Sequence, residues 1–522
     1  MTRPRSGAAL LALALAACTA TVAPTTVTTA RSLVIGLVGE PSSLLGDDPS
    51  GRAIAAAVIE PLVRRSATED LEPRLAVSVP SFANGDLALV TDADAPTGRL
   101  VARSRLRDGA RWHDGTPITA DDVRFAWELD RTAPIGTEAR AMADRIDGVD
   151  VIDERTVRVS YRAGERWEMF AVAPRAMPRH LLVDASASAR AQYASRPVHA
   201  GPYRIAERAP GIITLEAFAD HVLGLPAIAR IVVRTYATRS ALMSALLAGD
   251  VDVAPSPDLD ADLASTLDRS FGDRVRYTPA QAIAMLRFGP RLADPAIRTA
   301  AALTIDRERI ARSVFGGRSR VPASYLVAPL WAASEPAGAP RLDRAEARAI
   351  LERAGSRRGN FGIAELGGDR LVVTLIVPQG SPALAEAARG VAVDLALLGI
   401  AVDVSERPDA EVAERLLRRD FDLALTIEVA DDAVLATERY RGTVARWYDV
   451  LADAARTSAE RTEKRALYAE LQRMWAEAVP ALPLYQVLKV DIVAPRIEGI
   501  QPAAHAAPIT WNIGEWRAAP AR

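Results

Sequence analysis

Cysteine is all but missing: Cys18 is the one thiol in 522 residues. A disulfide within the chain is therefore excluded, as is a zinc or redox site built on cysteine pairs. Lysine is nearly absent too. Lys464 and Lys489 are the two present, so arginine supplies almost all of the 64 basic residues. Against 66 acidic residues the formal net charge is −2, which lacks the basic excess that a nucleic-acid partner needs. Histidine is sparse, and no two of His113, His180, His199, His221 and His505 stand at a chelating spacing. We expect no bound metal, no cofactor and no nucleic acid. There is no Gly-x-Ser-x-Gly, no His-Glu-x-x-His and no phosphate-cradling glycine-rich loop with lysine. A binding protein is expected, not an enzyme, and no residue is assigned a catalytic role.

Long apolar runs are also lacking. The longest candidate, Ala8 to Ala17, spans ten residues behind Arg3 and Arg5, whereas a membrane-spanning helix needs roughly 20. This is the layout of a secretory signal peptide over residues 1–17. It ends in Leu15-Ala16-Ala17-Cys18, which resembles the bacterial lipobox. The resemblance implies cleavage before Cys18, lipidation of its sulfur, and an extracytoplasmic protein held to the membrane by several acyl chains. The Thr-, Ala- and Pro-rich stretch 18–30 then serves as a flexible tether.

The body has ordinary globular composition, 49% hydrophobic and 25% charged. Leu33 to Val38 reads as a first buried strand. Residues 99–107 alternate as a half-buried strand, followed by the Asp-Gly-rich loop 108–117. Thr119 is an N-cap with Asp122 three residues on, the pattern of a capping box. The region 340–430 is the clearest. Asp343 caps a helix that Gly355 stops; Leu371–Val377, Ile400–Val404 and Phe421–Ile427 read as strands, with helices over Leu384–Leu398 and Glu411–Arg418 between them. Alternating strands and helices predict a parallel α/β layer. Leu467, Leu471, Met474, Trp475 and Ala478 form one helical stripe before Pro480, and Pro483–Val487 returns as a strand.

At residues 105–127 the chain becomes distinctive. RLRDGARWHDGTPITADDVRFAW resembles the hallmark segment of the dipeptide- and oligopeptide-binding proteins of ABC transporters, solute-binding protein family 5. Further blocks follow in the family's order: Glu60 to Val63, Pro73 to Ala76, Pro178 to Leu182, Gly201 to Arg204, Ala248 to Asp252, Arg298 to Asp306, Ala478 to Tyr485 and Trp511 to Trp516. The resemblance covers residues 31–516. It implies a periplasmic-binding-protein-like α/β fold (type II, large class), with two α/β lobes joined by two crossover strands and an extra domain inserted in the first lobe. Lobe I would comprise 31–59, 200–278 and 483–522. The inserted domain would be 60–199 and lobe II 279–482. The implied function is capture of a small solute, a di- or oligopeptide before others, by a monomer that delivers it to the permease subunits of an ABC importer. A non-peptide solute (sugar, opine or nickel chelate) and a degenerate sensor or scaffold stay open as alternatives.

Trp112, His113, Asp114 and Gly115 resemble a catalytic cluster, but Asp-Gly is turn chemistry, and His113 is expected to satisfy a local hydrogen bond. The ligand site is expected after the Phe421 strand. There the family resemblance puts Gly-Trp-x-x-Asp, whose Trp builds the pocket and whose Asp pairs with a peptide α-amino group. In this chain Asp431 falls on the acidic position, while Ile427 and Glu428 replace Gly and Trp. Asp431 and Glu428 are the expected ligand residues. The loop behind them, before Arg465, is shorter than the family's. His199-Ala200, in place of Gly-Thr, and Gly289, in place of Asn, are two further departures at which the cleft would differ.

Overall fold

The computed structural model describes residues 32–519, apart from 45–47, 67–69, 92, 94, 97, 136, 164–173, 257–260, 337, 360–361, 430–432, 459–460 and 502–506. Cys18, the tether and Asp431 lie outside the described residues.

One ten-stranded sheet organises the chain. Its order is Ala401–Arg407, Val372–Pro378, Leu423–Val429, Val275–Phe288, Ala481–Val493, Val253–Ser256, Leu33–Val38, Arg230–Tyr236, Ile212–Ala217 and Tyr203–Ala209. The expected parallel layer occupies one end, where Val372–Pro378 runs parallel to both Ala401–Arg407 and Leu423–Val429. Each strand there is followed by a helix or preceded by one: Pro382–Ala396 and Asp409–Arg418. Gly399 and the left-handed Arg419 (φ 55°) turn the chain out of these helices. At the other end, Leu33–Val38 is parallel to Arg230–Tyr236 and to Val253–Ser256.

The two halves are joined by the longest strands in the molecule, Val275–Phe288 and Ala481–Val493, which pair antiparallel with each other. The second is far longer than the Pro483–Val487 run legible in the sequence. Their register is broken where the halves meet. Pro279 opposes Leu488, but the next pair is Ile283 with Gln486, and Ala284–Tyr485 is followed by Met285–Pro483. Such bulges bend a strand and raise its local twist.

A second sheet of four strands, Leu87–Val90, Arg99–Arg105, Thr156–Tyr161 and Ile146–Asp153, lies between Glu60 and Ala200. It has its own core of Leu75, Leu100, Leu106, Trp112, Val123, Val157 and Tyr161. The expected capping box forms at Thr119 and Asp122 and starts the helix Ala120–Asp130. Among the described residues, no helix is long and apolar enough to cross a membrane.

Candidate functional site

The site is built around the junction of the two halves. Ile283 and Met285 of the first crossover strand face a core of Tyr325, Leu326, Tyr440, Tyr448, Tyr468 and Trp475. Ala284 and Leu286 face the opposite side. This is the two-residue alternation of a strand buried on both faces. Inside the bulge, Gln486 donates from its amide to the carbonyls of Ala280 and Ala328, both at 2.8 Å. Gln281 is 2% exposed, and among the described residues neither its amide oxygen nor its nitrogen has a partner. Leaving such a group unpaired costs on the order of 1–3 kcal/mol. The sequence reading missed Gln281, because its burial comes from the strands paired on either side of it and not from its neighbours along the chain.

Leu423–Val429 pairs along the first crossover strand from Phe288↔Leu423 to Ala282↔Val429. Its carboxyl end therefore arrives at the bulge and leads directly into segment 430–432, where Asp431 is expected to act. Ile427 and Val429 are each 40% exposed there. Glu428 is buried. Its carboxylate receives Arg287 Nε at 2.6 Å and the Tyr440 hydroxyl at 2.8 Å, with Arg439 at 3.7 Å. Burial works against the Arg287 charge, but Glu428 beside it raises the guanidinium above its usual range. Burial, with the Glu428 charge adding to it, pushes the Tyr440 phenol well up, so that it donates and does not ionise. Behind Tyr440, the Tyr448 hydroxyl donates to that of Tyr325, which pairs with Thr437. Tyr440 and Trp475 meet edge to face. Glu428 thus anchors the strand end on an aromatic bed, and its oxygens are occupied from within the protein.

The residues 112–115 form an internal staple. Trp112 is fully buried and its indole nitrogen donates to Asp122. His113 donates from Nε2 to the Gly201 carbonyl at 3.0 Å and accepts the His199 amide at Nδ1. The local hydrogen bond expected of His113 is therefore present. Burial lowers His113 to about 4 and His199 to about 3. Asp114 takes the Thr116 amide and His180 Nε2. Glu60 is buried at 5% exposure between His221 and Arg74. Burial disfavours its charge, yet these two partners hold its carboxyl below the usual range. These groups tie the inserted segment to the main sheet.

Of the two departures, His199 packs edge to face on Trp112 within this staple. Gly289 sits at the opposite end of the crossover strand from Val429, so it does not shape the junction. A Cβ there would stand 1.7 Å from the Phe421 carbonyl oxygen, which is why the position is glycine. Among the described residues, no group of three or more His, Cys, Asp or Glu gathers as metal ligands would.

The model of the bacterial extracellular solute-binding proteins, family 5, matches residues 71–437. Protein XP55 of Streptomyces lividans is 29% identical over 532 residues, which is 95% of this chain and 92% of that protein. Among solved structures, the oligopeptide-binding protein AppA of Bacillus subtilis in complex with a nonapeptide superposes with a TM-score of 0.67 at 20% identity, covering 94% of this chain and 99% of the other. NikZ of Campylobacter jejuni, in complex with Ni(L-His), gives 0.68 at 19%, covering 93% and 99%. At these identities the structures share the two-lobed fold and do not choose between solutes.

Proposed function

The chain belongs to the bacterial extracellular solute-binding proteins of family 5, extracytoplasmic binding components of ABC importers, and we propose that it captures a di- or oligopeptide between its lobes. The observation that carries this is the coincidence of two things at one level of the sheet. Both crossover strands break register there, and the Leu423–Val429 strand ends there, two residues before Asp431. Bent strands joining two halves act as a hinge, and closure around a solute removes it from water. An extended peptide satisfies its main chain on exposed strand ends. With Glu428 engaged by Arg287 and Tyr440, Asp431, on the family's acidic position, is the carboxylate to meet the peptide's α-amino group, through a charge-assisted bond.

The proposed division into lobe I (31–59, 200–278, 483–522), inserted domain (60–199) and lobe II (279–482) is supported by the register breaks near 279 and 484 and by the separate core around Trp112. Cys18 is proposed to carry the lipid anchor, and the loaded protein to dock as a monomer on its permease. Replacing Cys18 by Ser then moves the protein from the membrane to the soluble fraction.

The deciding experiment is calorimetric titration with a peptide library and with the same peptides acetylated at the N-terminus. The expected result is binding that falls at least about tenfold on acetylation and in D431N, about 1.4 kcal/mol. Equal affinity for free and acetylated peptides would remove Asp431 from the site. Binding of sugars, opines or a nickel chelate in place of any peptide would overturn the peptide reading.

A further inference from the structure

The outer end of the Leu423–Val429 strand borders a cavity of about 420 Å³. The strand end at Phe288↔Leu423 is six residues from Ala282↔Val429, about 20 Å at the rise of a strand. The cavity opens at this outer end, and three of its lining residues, Arg287, Arg439 and Tyr440, also reach Glu428. Arg287, Arg298, Arg419 and Arg439 line it, and no carboxylate does. Phe288 and Phe421 form apolar wall between them.

The four guanidiniums arrive from separate parts of the chain. Arg287 is on the first crossover strand, Arg298 on the helix Pro295–Thr304, and Arg419 caps the helix Asp409–Arg418 in a left-handed conformation. Arg439 follows the helix Ala433–Glu438. Among the described residues, Glu428 is the one carboxylate paired with any of them, at 2.6 Å from Arg287 and 3.7 Å from Arg439. Arg298 spends its terminal nitrogens on neutral carbonyls, those of Ala293 at 2.6 Å and Ala478 at 3.2 Å. Its Nε is buried with no partner among the described residues. Four positive groups thus share one ion-paired carboxylate, with Asp294 acting on Arg298 through its charge alone.

An excess of like charge around a partly enclosed space is unfavourable until a counter-charge enters. Guanidinium forks match the two-oxygen geometry of carboxylate and phosphate. The volume falls in the range of small-molecule sites, and aromatic walls favour an organic carrier over a bare ion. We propose that this cavity is a second binding site, for an oxyanion group carried on a small organic molecule. The inference stands on these arginines alone and does not depend on the peptide reading.

The test is calorimetric titration of the purified full chain, at low ionic strength, with citrate and with inorganic pyrophosphate. Sedimentation with phosphatidylcholine vesicles, with and without phosphatidylglycerol, is run alongside. The variant R419N/R439Q removes two of the charges, and asparagine tolerates the left-handed backbone at 419. R190Q/R348Q removes the same charge from exposed helix faces elsewhere. The expected result is one-to-one binding of a soluble anion that weakens at least about tenfold in R419N/R439Q and is kept in R190Q/R348Q. Binding to phosphatidylglycerol vesicles alone, with the same dependence on Arg419 and Arg439, also supports the site and identifies a lipid headgroup as the source. No saturable binding of either kind, or equal weakening in both double variants, overturns it. Should R419N/R439Q melt early, R439Q alone, at an exposed side chain, gives the same reading.

Discussion

Arg287 reaches Glu428 diagonally across neighbouring antiparallel strands, four residues beyond its register partner Ala424, with the guanidinium Nε 2.6 Å from the carboxylate Oε1. The pair fixes the end of the strand that leads to Asp431. Removing one member strands the other charge in a buried place, which costs more than the pair itself contributes. R287M is expected to lower unfolding free energy by about 3 kcal/mol, and E428Q by less, since the amide still accepts from Tyr440. Combining the two as R287M/E428Q should cost less than the sum of the single losses. Urea denaturation of the four proteins, read as a double-mutant cycle, checks this; additive losses would mean that the two do not interact.

Gly289 and Gly85 are both glycine for different reasons. Gly289 has ordinary backbone (φ −78°), but a Cβ would overlap the Phe421 carbonyl. Gly85 has open space around it and a left-handed φ of 73°. G85A is expected to cost about 1 kcal/mol, the left-handed penalty. G289A must push two strands apart, and should cost several times more or prevent folding. Thermal melting of both variants separates space from backbone strain.

His113 and His199 are held neutral by burial, at about 4 and about 3 against an ordinary 6.5. The unfolded chain therefore binds more protons than the native one below pH 6.5, and stability falls on acidification. The loss begins near pH 6.5 and is complete for His113 near its native value of about 4. It should reach about 3 kcal/mol for that group. The lowered Glu60 carboxyl adds a loss in the same direction at still lower pH. Melting temperature between pH 7 and pH 4.5 should drop steeply, and the slope should be shallower in H113N.

Asp491 has the opposite sign. It sits mid-strand between Arg276 and Pro255, and burial raises its carboxyl to about 6, only partly offset by Lys489 and Arg276. Holding it ionised at pH 7 costs stability, and the cost disappears as the pH falls below the unfolded value. D491N should therefore be more stable than the parent by about 1–2 kcal/mol at pH 7, with the gain vanishing near pH 4. Denaturant midpoints at the two pH values read this directly.

Local rules made much of the fold legible. Thr119 and Asp122 are three residues apart, and the capping box follows from that spacing. The helices of 371–429 follow from apolar period, and the strand Leu371–Val377 from a short unbroken apolar run rich in β-branched residues. The first crossover strand hid from the same reading, and the second was legible only over Pro483–Val487. Residues 280–288 (AQAIAMLRF) are buried on both sides of the sheet, so no alternation marks them as a strand. The family blocks supplied what periodicity did not, by implying two lobes and two connections.

By itself, the sequence determined the lipobox-like start at Cys18, the family, the capped helices and the parallel layer, all of which depend on residues close together along the chain. It named Glu428 and Asp431 alike as candidates to hold a ligand. Only the tertiary structure decided that Glu428 is spoken for, because Arg287, its partner, lies 141 residues away and comes within reach only when the two strands lie side by side. The gathering of Arg298, Arg419 and Arg439 at one cavity was decided in the same way. Charge and burial act through space, and residues distant in the chain become neighbours only when the sheet closes.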